Sequence, residues 1–217
     1  MEVQNHGVLF EDSVIRAITG LSKDEYQNKL ENAYTASMDV VKGIESEADY
    51  SIKVSKDGKS IGCGDLLRFM RHSRDGEFTM VVGAWQQVTP TVKRYDCIYE
   101  FDIKPEYYKL LWGGITEEAV QPFVDYVKSI PPGKEGQLAH QRLWKQKRKE
   151  TYDTYGQGLC KIDAKVDSKK QRRVQAGLKI KDLIATKEIT HRKYETEYKG
   201  IKLPYEQDSS PRQFTQT

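Results

Sequence analysis

Residues 49–55 read Asp-Tyr-Ser-Ile-Lys-Val-Ser, and the alternation of Tyr50, Ile52 and Val54 with Asp49, Ser51, Lys53 and Ser55 constrains this chain more than any other stretch. A period of two is the repeat of a half-buried strand, so the apolar residues should face a core while Asp49, Ser51 and Lys53 share the opposite face. Asp57-Gly58, directly after it, signals a turn. The preceding segment reads as helical. Leu9, Val14, Ile15 and Ile18 fall at near-helical spacing, which predicts a helix over residues 8–18. Ser22-Lys23-Asp24-Glu25 has the form of a capping box, predicting a second helix through about residue 34.

Downstream, residues 64–72 suit a short helix, and 78–85 and 95–103 read as strands. Thr116 followed by Glu117 and Glu118 opens another helix, which Pro131-Pro132-Gly133 closes. Residues 135–150 hold Leu138, Leu143 and Trp144 among many cations, predicting a basic helix, and 158–180 read as two short strands around Asp167-Ser168-Lys169-Lys170. The expected class is α/β, a mixed central sheet flanked by helices, with no internal repeat. The expected organisation is a catalytic core over 1–133, a basic segment over 134–205 packed on it, and a polar tail over 206–217.

The 217 residues suffice for one core domain with an appendage. No apolar run approaches the roughly 18 residues that span a bilayer, and the first dozen residues show no secretory signal, so a cytoplasmic protein without membrane contact is expected. Three widely spaced cysteines, Cys63, Cys97 and Cys160, argue against a disulfide framework or zinc knuckle and for buried thiols. Charge is uneven: residues 1–133 carry 15 Lys or Arg and 21 Asp or Glu, whereas 134–202 carry 19 and 9. One surface that grips phosphates and another that gathers carboxylates around metal ions would need this separation of sign.

Metal-assisted phosphodiester hydrolysis requires a metal-binding carboxylate, further oxygen ligands, and a cation to position water or neutralise phosphate charge. Asp39 and Lys53 suit the first and last roles, since a hairpin would bring both to one sheet edge. Asp39, a gap of eleven residues and then Ser51-Ile52-Lys53 resemble the PD-(D/E)xK nuclease motif. Gly7-Val8-Leu9-Phe10-Glu11 is similar to the G-x-x-F-E opening of many type II restriction endonucleases. The resemblance implies a restriction endonuclease-like fold and Mg2+, with Asp39 and the Ile52 carbonyl binding the metal and Lys53 acting on water or phosphate. Met38 stands where the family often has Pro, and Ser51 where it has Asp or Glu. Serine is a poor magnesium ligand, so a second carboxylate is expected from Glu11 first, Asp49 next, then Glu47 or Asp65.

Lys165-Val166-Asp167-Ser168-Lys169-Lys170-Gln171-Arg172-Arg173-Val174-Gln175 concentrates the donors that phosphates and base edges take. It resembles a C-terminal segment of several restriction enzymes. Arg172, Arg173 and Gln175 are candidate base readers, and Lys165, Ser168 and Lys169 candidate phosphate contacts, with Gln171 among them. The cations of residues 142–149, and Arg68, Arg71, His72 and Arg74, are further candidates for phosphates or plain solvated faces. His6, His72, His140 and His191 lack metal-site spacing. Ile61-Gly62-Cys63-Gly64 is too short for a nucleotide fingerprint, so no nucleotide cofactor is expected. The expectation is a site-specific endonuclease acting on double-stranded DNA as a homodimer, because two-fold symmetry reads a palindrome. The alternatives are a DNA-binding protein without catalysis and a repair or junction nuclease that reads DNA shape.

Overall fold

The structure, a computed structural model, describes residues 5–30, 38–166 and 171–208. In chain order the elements are α1 (Asn5–Thr19), α2 (Lys23–Lys29), β1 (Tyr50–Lys56), β2 (Ser60–Asp65), α3 (Leu66–Asp75), β3 (Phe78–Gln87) and β4 (Val92–Ile103). Then follow a 3-10 turn (Pro105–Tyr107), α4 (Tyr108–Trp112), α5 (Glu117–Ser129), α6 (Lys134–Tyr155), β5 (Lys161–Val166), β6 (Arg172–Lys179) and α7 (Ile180–Ala185). The last are β7 (His191–Tyr194), β8 (Glu197–Tyr198), β9 (Ile201–Lys202) and β10 (Tyr205–Asp208). The fold is mixed α/β, and its five-stranded sheet is mixed: β1 runs parallel to β3, while β3, β10 and β7 pair antiparallel with β4.

Two compact units form. The first comprises Met1–Ile61, Glu77–Ile103 and Thr186–Thr217, and the second Gly62–Gly76 with Lys104–Ala185. Pro131-Pro132-Gly133 lies inside the second, between α5 and α6.

In the first unit α1 covers the face of the five-stranded sheet that carries Ile52, Val81 and Ile98, burying Phe10, Val14 and Ile15 against it. The alternation of residues 50–54 thus reaches the core as expected, with Tyr50 and Val54 packed against the same cluster. The Phe10 ring stacks on Tyr95 at 4.6 Å, directly over Gly83 on β3. The Ser22–Glu25 capping box is present in both directions, and α2 ends at Lys29; the expected extension to residue 34 lies partly outside the described residues. Asp57 and Gly58 both take positive φ, 53° and 61°, as a primed turn requires.

In the second unit the sheet runs β2-β6-β5. Phe123, Val124 and Val127 of α5 and Phe69 and Met70 of α3 are buried together with Val174, Ala176 and Leu178 of β6, and α5 and α3 both pack on that strand. Strand β2 was not expected: Ser-Ile-Gly-Cys-Gly-Asp offers only Ile61 and Cys63 as apolar residues between glycines, too thin a period to read. The strands β7 to β10 are two to four residues long, shorter than a period-two pattern needs to show itself. Cys63, Cys97 and Cys160 are buried and form no disulfide. No described helix is long and apolar enough to cross a membrane.

A Cβ at Gly83 would stand 2.5 Å from Phe10 Cζ and 2.8 Å from Tyr95 Cδ1, and both rings are fully buried. Gly83→Val should therefore cost about 1–3 kcal/mol by overpacking, measured as a lower urea midpoint at unchanged slope. A variant as stable as the parent would show that the Phe10 stack does not seat α1.

Candidate metal centre

The site is built on the outer edge of β1. β3 pairs with one side of this strand only, so the peptide groups of alternate residues on the other side need separate partners. Val40 supplies the first as a single antiparallel bridge: Tyr50 N–H donates to Val40 O at 2.8 Å, and Val40 N–H to Tyr50 O at 3.1 Å. Ile52, two residues on, presents its groups to the same edge. There the Asp39 side chain takes over, Oδ2 accepting the Ile52 N–H at 2.6 Å.

Lys53 completes the arrangement. Its Nζ donates to Asp39 Oδ2 at 3.0 Å and to the Ile52 carbonyl at 2.9 Å. Asp39, Lys53 and the Ile52 carbonyl thus meet in one cluster, with the two side chains 27% and 22% exposed. Both remain reachable from solvent while sitting in a medium that strengthens their interaction.

Glu11 lies on α1, which packs on β1, near enough to Asp39 and Lys53 for their charges to act on it. Its carboxyl pKa is pushed above the ordinary value, first by burial and then by the negative charge of Asp39, while Lys23 and Lys53 pull it back. Lys23 Nζ lies 2.8 Å from Glu11 Oε1. The Lys23 backbone N–H donates to Asp12 Oδ1 at 2.6 Å, which ties the start of α2 to α1. The contacts made by the two carboxylates use Asp39 Oδ2 and Glu11 Oε1; Asp39 Oδ1 and Glu11 Oε2 stand outside them.

Asp49 is placed differently. Its Oδ1 accepts the Lys42 N–H at 2.7 Å, closing the turn ahead of β1. Glu47 is exposed, and the Asp65 carboxylate caps α3 by accepting the Arg68 N–H at 3.0 Å. Ser51 is half-buried on β1 and makes no side-chain hydrogen bond among the described residues. The structure therefore brings Glu11, Asp39, Lys53 and the Ile52 carbonyl together. Among the described residues no group of three or more His, Cys, Asp or Glu side chains converges on one point. The donor set is two carboxylates and a carbonyl, all hard oxygens, which fits Mg2+, an ion that usually keeps several waters and takes one or two protein carboxylates.

The candidate recognition residues belong to the β5–β6 hairpin. Lys165 stands opposite Arg173 and Asp163 opposite Gln175, so these share one face by strand alternation. Lys165 and Arg173 are exposed. Gln175 is half-buried, its amide lying where a Cβ on Gly62 would be. Arg172 points the other way: its guanidinium donates to the carbonyls of Ile130 (2.9 Å), Pro131 (2.5 Å) and Gln171 (2.7 Å), pinning the α5–α6 connection to the hairpin. Gln171 is exposed; Ser168 and Lys169 lie outside the described residues. On α3, Arg71 and Arg74 share Glu117 at 2.7 and 2.6 Å, so their charge is already answered. Lys23 escaped the sequence reading because nothing local distinguishes it from any cation in the first turn of a helix.

No family model matches this chain, and neither a curated protein nor a solved structure does.

A carboxyl whose folded pKa exceeds its ordinary value, 4.5 for Glu11, binds its proton more tightly in the native state, so stability falls as pH rises through that interval. Glu11→Gln holds the neutral form. It should raise the urea midpoint at about pH 7 and lose that advantage as the pH drops below about 4.5. Equal midpoints at both pH values would mean that Glu11 is unstrained.

Proposed function

We propose that this chain is a Mg2+-dependent endonuclease of the type II restriction kind, with a restriction endonuclease-like fold, hydrolysing double-stranded DNA at a short palindromic sequence as a cytoplasmic homodimer. One observation carries the reading. Asp39, Lys53 and the Ile52 carbonyl meet on an open strand edge with Glu11 in the same field, and their order in the chain follows the nuclease motif.

The two carboxylates repel one another, and that repulsion is relieved only by a proton or a cation. Asp39 and Glu11, with the Ile52 carbonyl, would hold the metal. When bound it supplies positive charge against the phosphate and lowers the pKa of a coordinated water. Lys53 is held by two oxygen acceptors. An ammonium has three donors, so one proton remains for a phosphate oxygen or for the attacking water. Asp39 sets the position of that ammonium. Ser51 contributes a hydroxyl beside Lys53 rather than a charge, which leaves Glu11 as the second anionic ligand. Lys23 is the counter-ion that Glu11 must exchange for the metal. The exposed pair Lys165 and Arg173, with Gln175 beside them, is the proposed DNA-reading face. Arg172, committed to three carbonyls, acts as its brace.

The test is digestion of a sequenced plasmid with Mg2+ followed by end mapping. Discrete limit fragments are expected. Asp39→Asn and Lys53→Met should each lower the cleavage rate by at least about 100-fold while duplex affinity without divalent cation persists. Full cleavage by both variants would remove the site from the mechanism. Binding without any cleavage by the parent would identify a non-catalytic binder, as a serine in place of the motif's acidic residue would suggest. Branched DNA cut much faster than linear duplex would identify a junction nuclease.

A further inference from the structure

The second unit carries a cationic surface larger than the recognition hairpin. Its residue ranges hold 20 Lys or Arg and 12 Asp or Glu, against 15 and 20 in the first unit. Of that excess of eight, α6 contributes three, with six Lys or Arg against three Asp or Glu. At about 100° per residue, Lys134, Leu138, Arg142, Lys145 and Lys149 fall within a sector about 80° wide, and all five are exposed. Lys134, Arg142 and Lys145 have no acidic partner among the described residues; Lys149 pairs with Asp153.

The orientation of this stripe follows from what the rest of the helix touches. His140 Nδ1 and Lys147 meet Tyr126 of α5, and Trp144 is buried next in rotation. Beyond it, Gln137, Arg148 and Tyr152 bond the free edge of β5: Gln137 Nε2 to Val166 O at 2.9 Å, Arg148 to Ile162 O at 3.3 Å, and the Ile162 N–H to Tyr152 Oη at 2.6 Å. The lysine stripe comes next around the helix. Because α5 packs on the side of β6 that carries the buried Val174, Ala176 and Leu178, rotation past the β5 edge leads to the less covered side, where Lys165 and Arg173 are exposed and Lys161, Asp163, Gln175, Gly177 and Lys179 half-buried. Arg148 marks the passage, since it also reaches the Asp163 carboxylate at 2.7 Å, and Asp163 shares the less covered face with Lys165, Arg173 and Gln175. On that face Lys161 and Lys179 are brought against each other, which lowers the Lys161 pKa, first through Lys179 itself. Asp163 and Asp182 partly offset that repulsion.

We propose that the Lys134–Arg142–Lys145–Lys149 stripe and the less covered face of β5 and β6 form one continuous surface that grips the phosphate backbone of duplex DNA independently of sequence. The proposal rests on the nucleic-acid reading above and extends it from base recognition to the backbone grip. The stripe is about 22 Å long at 1.5 Å per residue, a length over which one strand of B-DNA presents about six phosphates. The less covered strand face holds Lys, Arg, Asp, Gln and Gly and no aromatic ring, so it offers no platform for stacking unpaired bases. The α6 stripe contains one leucine, too little apolar surface for a membrane-lying helix. Duplex backbone is the partner that fits both.

The experiment measures anisotropy of a labelled mixed-sequence duplex with the full chain in EDTA, so the metal centre plays no part. Affinity is followed against salt concentration for the parent and for a variant combining Lys134→Gln, Arg142→Gln, Lys145→Gln and Lys149→Gln. The variant should lose at least about tenfold in affinity at moderate salt, and the slope of log affinity against log salt should shrink by about 3, near 0.9 per phosphate contact. A second variant with Arg at 134, 145 and 149 should keep the parental slope, which separates charge from folding. An unchanged slope in the Gln variant, or tighter binding to single strands or anionic vesicles than to duplex, overturns the surface. Should the parent cut plasmid while the Gln variant keeps its slope, the surface fails and the nuclease reading stands. Should the slope shrink as expected while the parent never cuts, the surface stands and the nuclease reading fails.

Discussion

A strand at the rim of a sheet leaves one row of peptide groups without a partner strand, and burying such groups unpaired costs about 1–3 kcal/mol each. Both units of this protein meet that demand with side chains. At β1 the Val40 bridge satisfies Tyr50, and Asp39 and Lys53 satisfy Ile52. At β5 the helix α6 does so through Tyr152, Arg148 and Gln137. The first solution places a carboxylate, an ammonium and a carbonyl together. The second lays a basic helix alongside the sheet with its charged stripe turned outward. The proposed chemistry and the proposed grip are therefore both products of edge closure.

The proposed metal site adds a second physical demand. Glu11 lies in the field of Asp39 and Lys53 on a helix whose Phe10, one residue earlier, packs over Gly83 and stacks on Tyr95. Burial and the negative charge of Asp39 both oppose ionisation of Glu11, so the two carboxylates repel each other. Lys23 and Lys53 hold that repulsion in check, so the cluster is balanced without a metal and open to exchange with one. A site made this way carries charge enough for a hard dication, yet with only two carboxylates it leaves coordination positions for water and phosphate.

The β5–β6 hairpin shows how a run of like residues divides its labour. Lys165 and Arg173 sit opposite each other on one face, while Arg172, one residue before Arg173, spends its guanidinium on three backbone carbonyls. Strand alternation alone separates them. In composition the two arginines are equal, and only the register makes one a surface group and the other a brace.

Much of this was legible in the chain. The alternation of residues 50–54, the helical spacing of Val14, Ile15 and Ile18, the Ser22–Glu25 box and the Asp57-Gly58 turn each express a local rule, periodicity or capping, that needs no partner elsewhere. The α/β class and the positions of Asp39 and Lys53 on adjoining extended segments follow from those rules. Other features depended on what lies across the fold. That Glu11 lies in the field of Asp39 depends on how α1 docks, while the Asp49 carboxylate is taken up by the Lys42 amide of a turn. Strand β2, thin in apolar residues, exists because β6 pairs with it. The pinning of Arg172, the pairing of Lys23 with Glu11 and the outward turn of the α6 stripe are likewise set by neighbours distant in sequence. The sequence by itself determined which residues repeat at the spacing of a strand or helix, since those periods are written one after another along the chain. Tertiary structure decided which charges meet, since that depends on helix docking and edge closure between segments whose spacing carries no local signal.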